Sequence, residues 1–231
     1  MSNGNRDLFP PIIHKKIDSL RGALSMLIRS EDLIQSVADA LQYISYYHPI
    51  DFIRAVHEAY EMEESPAAKD AMAQILINSR LCAEGKRPIC QDTGIVCVFL
   101  DIGMDVQWEG DQLIEEMVNA GVRRAYLNPD NTLRASILSD PAGARRNSKD
   151  NTPAVVHTRI VRGAGVEVML AAKGGGSENK SKLAMLNPSD SVVDWVEKTV
   201  PEMGAGWCPP GMLGIGIGGT AEKAMLMSKR S

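Results

Sequence analysis

Two cysteines lie in polar, glycine- and proline-rich segments that differ from ordinary core sequence. Cys90 begins Cys-Gln-Asp-Thr-Gly, directly before an apolar run, and Cys208 lies in Gly-Trp-Cys-Pro-Pro-Gly. A thiolate is a soft metal ligand, and polar residues at the end of a strand often form a site. A Cys-Pro pair also occurs beside iron–sulfur ligands in other proteins. Both cysteines are therefore candidate functional residues.

The other two cysteines have a different setting. Cys82 falls in a predicted helix and Cys97 in a predicted apolar strand. Free cysteine commonly packs as a small hydrophobic residue. We expect both thiols to be buried in the core and to have no role as ligands.

A glycine-rich segment, Lys173-Gly174-Gly175-Gly176-Ser177, lies between the two candidate cysteines and follows a predicted strand. Successive glycines allow backbone N–H groups to converge on an anion. The spacing is not that of a Walker loop, and the glycines of residues 214–219 do not match the dinucleotide fingerprint. A carboxylate ligand fits this segment better than a nucleotide does.

Composition restricts the class of protein further. The chain has 231 residues, of which 44% are hydrophobic and 23% charged, as in a soluble protein with a substantial core. The net charge of −4 argues against nucleic acid as a partner. No export signal or run of about 18 apolar residues occurs, so we expect no membrane span, reduced thiols and a cytoplasmic location.

Hydrophobic periodicity predicts an α+β fold, in which an N-terminal helical region packs on a mixed α/β body that contains the candidate loops. Helices are predicted at residues 12–28, 31–47 (with Ser30 as N-cap), 50–62, 67–84 (with Gly85 as C-terminal cap), 110–125, 190–198 and 220–229. Strands are predicted at residues 95–102, 104–108 as a partner strand, 154–162 and 166–172 as a hairpin, and 213–217.

Three segments together resemble the iron–sulfur hydro-lyases, namely the class I fumarate hydratases and the related tartrate dehydratase α subunits. They are Ile89-Cys90-Gln91-Asp92-Thr93-Gly94, Ala172-Lys173-Gly174-Gly175-Gly176-Ser177 with Asn179-Lys180, and Cys208-Pro209-Pro210 with Ile217-Gly218-Gly219-Thr220-Ala221-Glu222. The resemblance covers about residues 10–231 and implies one catalytic domain, with a helical part at about 10–85 and an α/β part at about 86–231.

The resemblance implies a 4Fe–4S cluster held by three cysteines, with one open iron that acts as a Lewis acid. Cys90 and Cys208 match the first two ligands. Gln91 and Asp92 would line the substrate pocket, and Asp92 would take part in proton transfer to the departing hydroxyl group. Arg134 falls where the family has a carboxylate-binding arginine. Gly174, Gly175 and Gly176 would bring backbone donors to the same ligand.

By the same resemblance, the third ligand is expected roughly a hundred residues beyond Cys208, outside this chain. A C-terminal catalytic domain or a β subunit would supply the base and further arginines. We therefore expect part of a dimeric or otherwise homo-oligomeric fumarate hydratase that hydrates fumarate to L-malate in the tricarboxylic acid cycle. The alternatives are a tartrate dehydratase α subunit and a cluster-free, catalytically incomplete anion-binding fragment.

Overall fold

The computed structural model describes residues 26–91, 93–208 and 210–231. Helices in this part are α1 (Ser30–Tyr46), α2 (Ile50–Met62), α3 (Pro66–Gly85), α4 (Ile114–Tyr126), α5 (Gly175–Glu178), α6 (Val192–Glu202) and α7 (Ala221–Arg230). Strands are β1 (Met26–Arg29), β2 (Ile95–Gly103), β3 (Val106–Glu109), β4 (Leu138–Ser139), β5 (Arg146–Asn147), β6 (Val155–Val161) and β7 (Val166–Lys173). The predicted α+β class is confirmed.

The central sheet has the strand order β6-β2-β7. Strand β6 pairs with β2 in parallel, with Cys97 opposite Val155, and β7 pairs with β2 in antiparallel orientation, with Ile95 opposite Lys173. The first residues of β2 therefore lie beside the last residues of β7. This register brings the end of the Cys90 segment to the beginning of the glycine-rich segment.

Strand β2 is buried along almost its whole length. Val96, Val98 and Leu100 point into a core with residues of α1 and α4. On the other face, Asp101 is bound by Arg230 of α7, whose guanidinium also lies over the Phe99 ring. A strand covered on both faces requires a nearly continuous apolar run, which is what the sequence has.

Helices α1 and α4 pack closely, and Gly121 permits that approach. A Cβ atom at Gly121 would lie 2.7 Å from the carbonyl oxygen of Ile34. Val37 on α1 and Met117, Val118 on α4 are fully buried around this contact. Helix α4 is thereby fixed against the core, and it carries several of the contacts that position the candidate site.

The predicted hairpin of residues 154–162 and 166–172 is wrong in its pairing, although both strands exist. Strand β2 lies between β6 and β7, and their connection crosses the end of β2. Gly103 N–H donates to Gly165 O at 2.8 Å and Asp105 N–H to Gly163 O at 3.0 Å. The backbone groups on both edges of this buried strand need hydrogen-bond partners, and β6 and β7 supply them on opposite edges.

Two further strand predictions need correction. The segment predicted at residues 104–108 forms β3, but β3 pairs with β1 rather than with β2. Residues 213–217 belong to no strand. They lie against α7 instead, because a Cβ at Gly214 would meet Ser228 O and one at Gly216 would meet Ala224 O.

Helix boundaries differ from the predictions at three places. Residues 26–28, the described end of the first predicted helix, belong to strand β1, and residues 12–25 lie outside the described part. Arg29, not Ser30, is the N-cap of α1, and the Ser30 hydroxyl donates to Glu109 O at 2.9 Å. Lys86, not Gly85, adopts the left-handed C-cap conformation after α3, with φ of 47°.

Candidate functional site

Two helices hold the backbone just before Cys90. Ile89 N–H donates to Ser45 O on α1 at 2.8 Å, and the Asn78 side chain on α3 donates to Ile89 O at 3.1 Å. The Cys90 side chain beyond this anchor is exposed, and its thiol donates to Gln91 Oε1 at 3.3 Å. The loop therefore presents an accessible thiol from a fixed base.

The other end of the same loop is held by the core and the sheet. The hydroxyl of Tyr126, which is 1% exposed, donates to Thr93 O at 2.8 Å. Gly94 has a φ of 83°, and a Cβ there would lie 2.7 Å from the carbonyl carbon of Ala172 on β7. Glycine permits both this backbone conformation and this close approach.

The structure brings Arg134 to the Cys90 loop. The Thr93 hydroxyl donates to Arg134 O, and the Arg134 guanidinium donates to Gln91 O at 3.4 Å. The side chains of Gln91 and Arg134 are both exposed. Two predicted substrate-binding residues are thus neighbours, whereas Asp92 lies outside the described residues.

The glycine-rich segment begins where β7 ends and continues into the single turn α5. Gly174 O accepts hydrogen bonds from Glu178 N–H and from the Ser177 hydroxyl, both at 2.9 Å. A Cβ at Gly176 would lie 2.6 Å from Gly206 O. The segment therefore contacts Gly94 through the end of β7 and Gly206 through α5.

Charged residues fix this segment to α7. Glu178 pairs with Lys173 at 3.1 Å and with Lys229 of α7 at 2.8 Å. Burial alone would raise the pKa of Glu178, but hydrogen bonds from Lys229 and Lys173 bring that pKa below its ordinary value. Glu178 is therefore an ionised anchor. Lys173 also donates to Ser181 Oγ at 2.8 Å, so its ammonium group is engaged within the loop.

Cys208 is exposed and follows a tight turn. Its φ is 60°, in the left-handed region, and its N–H donates to Ala205 O at 3.1 Å. Gly206 in that turn packs against Gly176, and a Cβ at Gly206 would also lie 3.1 Å from Lys180 Cε. Cys208 is thus two residues from a contact with the glycine-rich segment.

The four thiols divide into two chemical classes. Cys82 and Cys97 are buried, and burial raises the pKa of each. The Cys82 thiol donates to Asn78 Oδ1 and Pro88 O, both at 3.6 Å, so it is a packed structural thiol. Cys90 and Cys208 are exposed on loops, so theirs are the two accessible thiols among the described residues.

The exposed thiols of Cys90 and Cys208 are the cysteine donors available for the cluster that the resemblance implies. Within residues 26–91, 93–208 and 210–231, no group of three or more His, Cys, Asp or Glu side chains is placed to hold a metal ion. The two exposed thiols do not by themselves complete the three-cysteine set that the resemblance implies.

A cavity of about 180 Å³ lies beside the Cys90 loop, between α1, α4 and β7. Cys90, Thr93 and Ala172 contribute to its wall, as does the half-buried His48. Burial lowers the pKa of His48, and its Nδ1 lies 3.1 Å from Ser79 Oγ. The cavity is thus lined by both the cysteine loop and the strand that leads to the glycines.

Sequence reasoning missed Tyr126 and Asn151, which hold the loop from behind. Asn151 is 0% exposed, and its side chain donates to Gly94 O at 3.0 Å. The Asp-Asn-Thr-Pro run around it indicates a turn, but nothing local identifies a partner 57 residues away.

Residues 34–231 match the profile of the fumarate hydratase (Fumerase) family. The chain belongs to this family of hydro-lyases, and the predicted resemblance is confirmed. No helix among the described residues is long and apolar enough to cross a membrane.

Individual relatives divide between two enzyme names. The chain is 33% identical to a protein of Methanocaldococcus jannaschii provisionally named L(+)-tartrate dehydratase subunit alpha, covering 84% of this chain and 70% of that protein. It is 24% identical to L(+)-tartrate dehydratase subunit alpha of Escherichia coli K12, covering 86% and 66%. It is 30% identical to the anaerobic class I fumarate hydratase of E. coli K12, covering 85% and only 38%.

Proposed function

We propose that this chain holds a 4Fe–4S cluster and one carboxylate of a hydroxydicarboxylate, and that the complete enzyme reversibly hydrates fumarate to L-malate. One observation carries the proposal: the glycine-rich segment is in contact with both cysteine loops. It touches Gly94, four residues after Cys90, through the end of β7, and Gly206, two residues before Cys208, through Gly176. This shared support favours both thiols acting in one site.

Cys90 and Cys208 would hold the cluster, and a further region of the protein or a second subunit would supply the third cysteine. When bound, the cluster supplies a Lewis acid that polarises the substrate's hydroxyl and carboxylate groups. The exposure of both thiols supports this assignment, and the burial of Cys82 and Cys97 argues against those two as ligands.

This chain's own residues would bind and orient the dicarboxylate. Arg134 presents an exposed guanidinium beside Gln91, and an arginine can bind a carboxylate through two parallel hydrogen bonds. The backbone at Gly174, Gly175 and Gly176 would contribute further donors. Dehydration removes a hydroxyl from one carbon and a proton from its neighbour, releasing water. We assign Asp92 to proton transfer at the hydroxyl, and assign the carbon base to a C-terminal domain or β subunit.

Tartrate dehydration is a second candidate. The relative with 33% identity carries the tartrate dehydratase alpha name, and this chain covers 70% of it. Both substrates are four-carbon hydroxydicarboxylates, so Arg134 and the glycines would serve either one. Comparison of kcat/KM for malate and for tartrate in the complete enzyme distinguishes them.

The test of ligation uses the complete protein with any second subunit it requires. Cys90→Ser and Cys208→Ser should each lower iron and sulfide content after anaerobic reconstitution and abolish hydration. Cys82→Ser is the matched control, because a hydroxyl can donate to the same Asn78 and Pro88 oxygens. It should retain both cluster and activity. Full cluster content in either Cys90→Ser or Cys208→Ser would contradict the proposal.

A further inference from the structure

One buried amide bridges the two segments that carry the proposed substrate contacts. The Asn151 side chain donates to Gly94 O at 3.0 Å, and its Oδ1 accepts from Ser136 N–H at 2.8 Å. Gly94 closes the Cys90 loop, and Ser136 lies two residues after Arg134. The amide therefore fixes the distance between the backbone of the cysteine loop and the backbone next to Arg134.

Asparagine suits this position for two reasons. Its φ of 62° lies in the left-handed region, which asparagine tolerates better than most residues. Its short side chain also offers one donor and one acceptor group, and each faces a backbone partner of the opposite type. Aspartate would keep the acceptor and lose the donor, and glycine would keep the backbone freedom and lose both.

The turn that carries Asn151 is fastened to α4. The Asp150 carboxylate accepts from Thr152 N–H at 3.0 Å and from Arg123 Nε at 2.9 Å. On the other side, Asn119 Oδ1 accepts from Ala154 N–H at 2.8 Å. These bonds attach the turn to a helix whose inner face is in the core, so Asn151 has a rigid support.

We infer that Asn151 is a positioning residue that holds Arg134 at a fixed place relative to the Cys90–Gly94 loop through its two backbone hydrogen bonds. This inference rests on the proposed role of Arg134 in carboxylate binding. Without the amide, Gly94 O and Ser136 N–H lose their shared partner, and the two segments can move independently. Substrate binding through Arg134 then weakens although Arg134 itself is intact.

The first experiment measures hydrogen exchange in the complete protein and does not depend on its activity. Asn151→Gly removes the amide while it permits the positive φ. Lys149→Gly is the matched control, since Lys149 is exposed in the same turn and has a φ of 69°. We expect faster exchange in peptides that contain Gly94 and Ser136 in Asn151→Gly and unchanged exchange there in the control. Unchanged exchange in Asn151→Gly, or a uniform increase that includes α2 and α3, would overturn the inference.

Asn151→Asp provides a second variant if Asn151→Gly does not fold. It retains the acceptor for Ser136 N–H and lacks the donor for Gly94 O. Exchange should therefore increase around Gly94 and remain near the original rate around Ser136. Equal increases in both segments would contradict the proposed division of the two hydrogen bonds.

The second experiment measures kinetics with malate and tartrate in the complete enzyme. Asn151→Gly should raise KM about tenfold or more, since a charge-assisted contact to the carboxylate is weakened. In the Arg134→Ala background the same change should add little, because Asn151 acts through Arg134. Fully additive losses would overturn the positioning role. Absence of turnover in the unaltered enzyme with any hydroxydicarboxylate would instead overturn the proposed function, and the exchange result would still test the bridge.

Discussion

Replacing Gly94 by alanine tests whether the Cys90 loop depends on its contact with β7. The added Cβ would lie 2.7 Å from Ala172 C, 2.8 Å from Lys173 N and 2.9 Å from Ala172 O. All three are backbone atoms of β7, which is paired to β2, so they cannot move aside as a flexible side chain would. The substitution also places alanine at a φ of 83°.

Two costs add in this variant. The left-handed backbone costs an L-residue about 1–2 kcal/mol. Overpacking against fixed atoms costs about another 1–3 kcal/mol. Gly163→Ala is a matched control, because Gly163 has a φ of 113° and no atom within 4 Å of its Cβ position. It should show the backbone cost alone.

The assay is urea denaturation of the original protein and both variants, with the midpoint and the slope compared. Gly94→Ala should lose about 1–3 kcal/mol more than Gly163→Ala, at an unchanged slope. Equal losses in the two variants would refute the close contact between the Cys90 loop and β7. The two cysteine loops would then not share the glycine-rich segment as a common support.

Two other predictions concern α7. Hydrogen bonds from Arg230 and Arg159 lower the pKa of Asp101 to about 2. This carboxylate therefore stabilises the fold fully above its unfolded pKa of about 4. Its contribution to the free energy of unfolding is lost as the pH falls from about 4 towards 2. Asp101→Asn should therefore show a smaller loss of stability than the original protein across this pH window, and parallel pH profiles of denaturation midpoint would contradict the assignment. Gly216→Ala should release residues 213–217 from α7, because the added Cβ would meet Ala224 O. Gly165→Ala is the control, since a Cβ at Gly165 has open space around it. Limited proteolysis should cut Gly216→Ala faster within residues 213–217, and equal cleavage rates in the two variants would show that the segment tolerates a side chain.

Features that depend on a single segment could be predicted from the sequence. Helix α2 begins and ends where its periodicity and the flanking prolines place it, at Ile50–Met62. The strand at β2 was likewise evident as an apolar run bounded by glycine. Both predictions use only the residues within the element and its immediate neighbours.

Strand order could not be predicted, since it depends on which partner covers each edge of β2. The turn residues 162–165 indicate a reversal of direction, and β6 and β7 do run in opposite directions. They do so on opposite edges of β2, which is therefore the central strand of the sheet. The glycines of residues 213–217 were misinterpreted for a similar reason, as their close approach to α7 is a tertiary contact.

Candidate site residues were accessible to sequence reasoning only where a motif marked them. Cys90, Gln91 and Arg134 were identified in this way, and the structure places the Arg134 guanidinium against Gln91 O. The residues behind them carry no motif. Tyr126 ends an amphipathic helix, and nothing in the sequence marks the hydrogen bond of its hydroxyl to Thr93 O.

Helix α4 is the common support of the candidate site. The hydroxyl of its last residue, Tyr126, donates to Thr93 O and so holds the Cys90 loop. The Tyr126 carbonyl group accepts from Leu133 N–H at 3.2 Å and so holds the residue before Arg134. Its Arg123 holds the turn that carries Asn151. Helix α4 itself is fixed against α1 through the close contact at Gly121. The exposed residues of the candidate site therefore derive their relative positions from the core rather than from their own loops. Substitutions that change the packing between α1 and α4 should alter ligand binding although the substituted residues do not contact the ligand.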